Sequence, residues 1–235
     1  MHAYCINLER RPDRRQDAQD EFEKFGIDVE FWKATDGKIG APDGLAITGA
    51  EWGCADSHIR IWRDIVEQNY EMGLVFEDDV RILPNFNEKL VRVLREAPAN
   101  WDLINLGSLD GRVGTERVSP SLVQGAAYGT HCYLISNRGA RKMAIWDAKD
   151  LNYGIDLQIA RSPYKLYYTK DALANQVSAG SSTLGGFMSW VQGDIGFSRT
   201  RDWDFILREQ LQKVNWFFVL ASTALIYVVI SPTKR

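Results

Sequence analysis

A run of only four residues, Gly73-Leu74-Val75-Phe76, lies between two stretches of helical periodicity and passes directly into three acids. It is too short for a helix and reads as a buried strand. Before it, residues 50–69 carry Trp52, Ala55, Ile59, Trp62 and Val66 in steps of three and four, which line one face of a helix. After it, Asn85 and Glu88 have the spacing of a capping box and predict a helix over 86–97, with Phe86, Leu90 and Leu94 facing the core. The same alternation recurs along the chain. Strands are expected at 3–8, 29–33, 101–106, 130–135 and 166–168. A helix over 13–25 buries Ala18, Phe22 and Phe25, and Ser136 is placed to cap another that runs to about residue 148. Strands interleaved with helices predict an α/β layered domain. Residues 36–49 read as a Gly- and Pro-containing loop. Residues 177–200, rich in Gly and Ser, read as a loop that could order over a ligand.

A chain of 235 residues is long enough for one such domain with a sizeable core. The 28 basic residues do not outnumber the 31 acidic ones, so nothing points to nucleic acid. Cys5, Cys54 and Cys132 are few and widely spaced. They offer neither a disulfide framework nor a paired-cysteine metal knuckle, and read as reduced, mostly buried thiols in a cytosolic setting. The first fifteen residues turn charged after a short apolar run, unlike a secretory signal. Residues 201–213 read as an amphipathic linker helix. Residues 214–230 carry no charge and lie between Lys213 and Lys234-Arg235. Such a helix spans roughly 25 Å against a hydrocarbon core of about 30 Å, and Trp216 and Tyr227 could anchor it at the interfaces. The expectation is therefore a domain over 1–200 tethered by a C-terminal apolar membrane helix, with residues 1–210 in the cytosol. A buried core helix or an apolar hairpin is the alternative, and the protein would then be cytoplasmic.

Glu77, Asp78 and Asp79 repel one another at a strand end unless a cation neutralises them. Hard Mg²⁺ or Mn²⁺ ions take one or two carboxylates and complete their shell with water and phosphate oxygens. Open α/β sheets hold ligands beyond the carboxyl ends of their strands. The triplet thus reads as a metal–diphosphate site. In extended backbone Glu77 and Asp79 share one side and Asp78 faces the other. Asp79 is the expected direct metal ligand. Glu77 is assigned to the metal and the donor, through a metal-bound water or the ribose, and Asp78 to donor binding. A solvated acidic turn or a helix cap is the plain alternative.

Three segments together resemble glycosyltransferase family 25, which includes lipooligosaccharide sugar transferases and procollagen galactosyltransferases. They are Ile6-Asn7-Leu8 followed by Arg10, Arg11, Asp13 and Arg14; Gly53-Cys54 with Ser57-His58; and Phe76-Glu77-Asp78-Asp79-Val80. Gly129-Thr130 with Tyr133-Leu134-Ile135-Ser136 is similar to a later strand of the family, and Asp156 falls where the family tends to carry an Asp. The resemblance covers roughly residues 3–180. It implies a GT-A-like, Rossmann-type nucleotide-sugar-binding domain with a mixed central sheet, a donor that is often UDP-linked, and inversion at the anomeric carbon.

Glycosyl transfer needs a stabilised leaving diphosphate, a base for the acceptor hydroxyl, and the two substrates in line. Arg10, Arg11 and Arg14 follow the first strand and suit phosphate, and Asn7 suits the nucleoside. Ser57 is placed with the donor, and His58, at the edge of an apolar helix face, with the catalytic residues. Asp156 is the candidate general base. His131 is left open between a late metal ligand and a solvent-facing strand residue. The expected activity is transfer of a hexose, galactose or similar, from a UDP-sugar to a glycan, glycolipid or glycoprotein hydroxyl, with Mn²⁺ or Mg²⁺. A metal-dependent nucleotidyltransferase is a second reading, although the Gly-rich basic loop it usually has is missing near the first strand. A degenerate, non-catalytic membrane-tethered binding module is the third.

Overall fold

In the computed structural model, the described residues are 1–107 and 112–176. The expected 177–200 loop, 201–213 linker helix and 214–230 membrane helix lie outside them. Among the described residues no helix is long and apolar enough to cross a membrane.

The strands are β1 (His2–Asn7), β2 (Glu30–Lys33), β3 (Met72–Glu77), β4 (Val80–Ile82), β5 (Leu103–Asn105), β6 (Arg112–Arg117), β7 (Leu122–Ala127), β8 (Cys132–Ser136), β9 (Leu166–Thr169) and β10 (Ala174–Gln176). The helices are α1 (Pro12–Phe25), α2 (Gly37–Gly40), α3 (Gly49–Glu67), α4 (Phe86–Glu96), α5 (Asn137–Met143) and α6 (Ile155–Ala160). Eight strands form one sheet in the order β2-β1-β3-β8-β5-β9-β7-β6, and β4 pairs with β10 in a second, two-stranded sheet. β1 is parallel to β2 and β3, whereas β8 runs antiparallel to both its neighbours, β3 and β5. The sheet is therefore mixed, as expected.

Strand alternation divides the core into two faces. Tyr4, Ile6, Val75, Tyr133 and Ile135 pack with Ile59, Trp62 and Ile65 of α3 and Met143 of α5. Cys5, Leu74, Phe76, Cys132 and Leu134 pack on the opposite side with Phe22 of α1 and Phe86, Leu90 and Val93 of α4. Helices cover both faces, which is why the central strands are almost wholly apolar.

Two expectations change. Asn85 does not cap α4: its backbone is left-handed (φ 63) and its side chain makes no cap bond, since that geometry is not the extended one that aims a cap oxygen at the first turn. The capping box instead opens α3, where Thr48 accepts from the Glu51 amide at 3.2 Å and Glu51 accepts from the Thr48 amide at 2.8 Å. Ser136 caps α5 as expected, but the helix ends at Met143. Arg63 takes the carbonyls of Ala144 and Trp146 (3.0 and 2.8 Å), satisfying acceptors that a longer helix would have used.

Candidate active site

Because β8 runs against β3, its beginning lies beside the end of β3. Glu77, Thr130 and His131 therefore meet at the edge where β1 and β3 finish, and the Glu77 amide donates to the His131 carbonyl at 3.1 Å. The chain turns at Asp78-Asp79 before entering β4. That turn overturns the expected alternation of the acids: all three line one cleft. Arg14, 6% exposed, spans two of them, with NH1 2.8 Å from Asp78 Oδ1 and NH2 2.6 Å from Asp79 Oδ2. The first counter-charge of the triplet is thus an arginine of α1. Asn7 donates to Asp78 Oδ2 at 2.7 Å, and Gln176 donates to Asp79 Oδ2 at 3.0 Å. Asp79 Oδ1 is buried and, among the described residues, has no hydrogen-bond partner.

These environments set the charges apart. Burial pushes the Asp78 carboxyl up to about 6, against Arg14 and Asn7. Burial, followed by the Glu77 charge, also raises Asp79. For Glu77, burial works upward but is overcome by His58, the Thr130 hydroxyl and His131, which hold the carboxyl below its ordinary value. Thr130 Oγ1 donates to Glu77 Oε1 at 2.6 Å, and His58 Nε2 lies 3.5 Å from the same oxygen. The other ring nitrogen of His58 is 2.9 Å from the Tyr133 hydroxyl, which accepts from Trp62 Nε1 at 2.9 Å. His131 is buried rather than solvent-facing. Its burial lowers the imidazole pKa, against the charges of Glu77 and Asp79.

The remaining expected residues divide. Arg10 lines the cleft mouth and is paired with Asp36, the cap of α2. Arg11 pairs with Asp13 at 2.6 Å, and neither it nor Asn7 lines the cleft. The Asn7 amide is spent on Asp78 and on the Arg11 carbonyl. Ser57 lines the cleft, but its hydroxyl accepts from the Thr35 amide (2.9 Å) and donates to the Gly53 carbonyl (2.6 Å), so it clamps α3 to the segment after β2. Asp156 sits in the first turn of α6, accepts from the Leu157 and Gly129 amides (2.7 and 3.3 Å), and does not line the cleft. Its carboxyl is raised by burial, with Glu77 adding to the rise. It lies close enough to Cys54, on the cleft wall, to push that thiol upward after burial and Glu77 have done so.

Residues 1–123, just over half of the 235-residue chain, match the family model described as glycosyltransferase family 25 (LPS biosynthesis protein). The chain belongs to glycosyltransferase family 25. A Drosophila melanogaster glycosyltransferase 25 family member is 30% identical over 85% of this chain and 37% of its own length. Procollagen galactosyltransferase 1-B of Xenopus laevis is 34% identical over 60% of this chain and 27% of its own length. A Bos taurus relative named probable inactive glycosyltransferase 25 family member 3 is 34% identical over 60% of this chain and 28% of its own length. The chain spans only 26% to 37% of the length of the curated relatives it matches. Within this family-25 chain the matched residues contain β1, α1, α3 and the acid triplet. Thr130, His131, Asp156 and Gln176 lie beyond them.

The donor set suits a hard cation in one respect that geometry can test. A buried carboxylate oxygen without a partner is costly, and Asp79 Oδ1 is such an oxygen in a residue that lines the cleft beside Glu77. Asp79 and Glu77 have the chemistry to hold the hard cation expected from the acid triplet. Sequence reasoning missed Thr130, Tyr133 and Gln176 as site residues. Their partners lie far away in the chain, and a lone Thr, Tyr or Gln gives no signal of its own.

Proposed function

We propose that this chain is a metal-dependent, inverting hexosyltransferase. It would move a sugar, galactose or similar, from a UDP-linked donor to a hydroxyl of a glycan, glycolipid or glycoprotein. The observation that carries the reading is the unpartnered Asp79 Oδ1 in a cleft shared with Glu77, Arg14 and His58. Asp79 and Glu77 would hold Mn²⁺ or Mg²⁺, which when bound offsets charge on the leaving diphosphate. Arg14 keeps the acid pair assembled, and Arg10 at the mouth is the guanidinium placed for phosphate. The Tyr133–His58 contact orients the imidazole towards Glu77 and so fixes that carboxylate. Asp156, raised by burial behind the Cys54 wall, does not line the cleft, and it keeps the base role only as what the family resemblance implies.

A non-catalytic binding module is the second reading. It draws on the guanidinium already bridging Asp78 and Asp79 and on the Bos taurus relative being named probable inactive. Thermal shift separates the two, since a ligand at a hundredfold excess over its Kd adds about 2.7 kcal/mol to the native state. The transferase reading expects UDP-sugars to raise the melting temperature only with Mn²⁺ present, and Asp79→Ala to abolish the rise while keeping the fold by circular dichroism. Normal sugar transfer or donor hydrolysis by that variant would sink the reading. A response to nucleoside triphosphates with sugar phosphates, and none to nucleotide sugars, would favour nucleotidyl transfer.

A further inference from the structure

One wall of the cleft offers donors of a different kind from the acid cluster. Cys54 and His58 are four residues apart on α3, so both project from the same helix face. Glu77 approaches them from the end of β3. One ligand atom from each of the three lies within 4.8 Å of the others. His58 Nε2 and Glu77 Oε1 are 3.5 Å apart, already the separation of two ligands on one tetrahedral ion, roughly 3.3–3.8 Å for bonds of about 2.0–2.3 Å.

An independent observation points the same way. His58 is fully buried, and among the described residues its Nε2 has no hydrogen-bond partner, only the Glu77 carboxylate at 3.5 Å. The ring is held from behind, by Nδ1 at 2.9 Å from the Tyr133 hydroxyl. A ligating histidine has this arrangement, with one nitrogen fixed by a second residue and the other presented to the ion. Sulfur and imidazole nitrogen select borderline-soft ions over Mg²⁺ and Mn²⁺.

We propose that Cys54, His58 and Glu77 form a three-ligand site for a zinc-class divalent ion, with its fourth position open to the cleft. On binding, the Cys54 thiol proton leaves to solvent, sulfur and the bare Nε2 each donate an electron pair to the ion, and Nδ1–H donates to the Tyr133 oxygen. The site requires neither a nucleotide nor Asp79, so it goes beyond the transferase reading. Because Glu77 is common to both, a zinc-class ion and the hard cation exclude one another.

Cobalt(II) is the probe. One equivalent added to the reduced chain is expected to give a thiolate-to-cobalt charge-transfer band and the strong visible bands of a tetrahedral ion, both discharged by Zn²⁺. Cys54→Ser loses the charge-transfer band, and Cys132→Ala retains it. Tyr133→Phe keeps the band shape but lowers cobalt affinity about 10- to 100-fold. In the unaltered chain, Zn²⁺ protects Cys54 from alkylation, read by peptide mass mapping, which keeps the test alive if a variant fails to fold. No thiolate band in the parent, a band that survives Cys54→Ser, or no protection of Cys54 overturns the site. So does loss of the band in Asp79→Asn, which would place the ion in the acid cluster. An intact cobalt band together with no Mn²⁺-linked UDP response would sink the transferase reading alone.

Discussion

Asp78 carries the titration most open to measurement. Its folded value of about 6 stands above the ordinary 3.8 because burial outweighs Arg14 and Asn7. A carboxyl raised on folding binds its proton more tightly in the native state, so it costs stability as pH climbs from about 4 through 6. The rise of about two units corresponds to about 3 kcal/mol. Asp78→Asn removes this slope. In urea titrations without divalent ions, stability of the variant relative to the parent should improve by about 3 kcal/mol between pH 4 and pH 7. A pH-independent difference would mean that Arg14 fully offsets the burial. At this scale the sequence named the acids, Arg14 and His58, because a strand end and short spacings bring them out. It put Ser57 at the cleft, which Ser57 lines, but did not show that the hydroxyl is engaged with two backbone groups. It also misjudged how the acids point, because a turn at Asp78-Asp79 replaces the pleat.

Among the elements, α3 decides the cleft, since Cys54, Ser57 and His58 all sit on it. Gly53 lets it approach the segment after β2: a Cβ there would stand 2.6 Å from the Thr35 carbonyl oxygen and 2.7 Å from the Gly37 amide nitrogen. Both are backbone atoms and cannot swing aside. Gly→Ala inside an ordinary helix stabilises by about 1 kcal/mol. Here Gly53→Ala is expected to destabilise by about 1–3 kcal/mol, visible as a lower urea midpoint with an unchanged slope. Because the helix must shift to relieve the clash, donor affinity should fall with it. A stabilised variant would show that α3 is not pressed against residues 35–37. The sequence showed α3 clearly through its apolar steps. It did not show that Gly53 is a point of contact, because close backbone approach leaves no mark on periodicity.

For the molecule as a whole, stability and cleft are anchored at opposite strand ends. Asp102, fully buried before β5, accepts from Arg138 (2.9 Å), Lys142 (2.6 Å) and the Lys165 amide (2.9 Å). It thereby ties β5 to α5 and to the approach to β9. Asp102→Ala removes three hydrogen bonds to a fully buried carboxylate, while the groups left behind can turn to water, so the expected loss is about 1–3 kcal/mol. Nucleotide-sugar affinity, measured by calorimetry below the melting point, should be unchanged; a parallel loss of affinity would contradict the separation. The long periodic elements β1, α1, α3, β3, α4 and β8 were legible because each declares itself within its own residues. β4, β10, β6, β7 and α6 were not, since three to six residues of mixed character become strand or helix only through the partners they meet. The reversed direction of β8 bears on motion as well as on placement. It stitches the cleft floor into the middle of the sheet through the Glu77 amide, whereas the rim beyond the Gly37 contact, at Arg10 and residues 38–40 of α2, lies outside the sheet ladder. Deuterium should therefore enter the rim amides by local opening, and reach the Glu77 amide only when the whole sheet comes apart. A bound ligand that orders the rim would slow uptake there and leave the floor as it was.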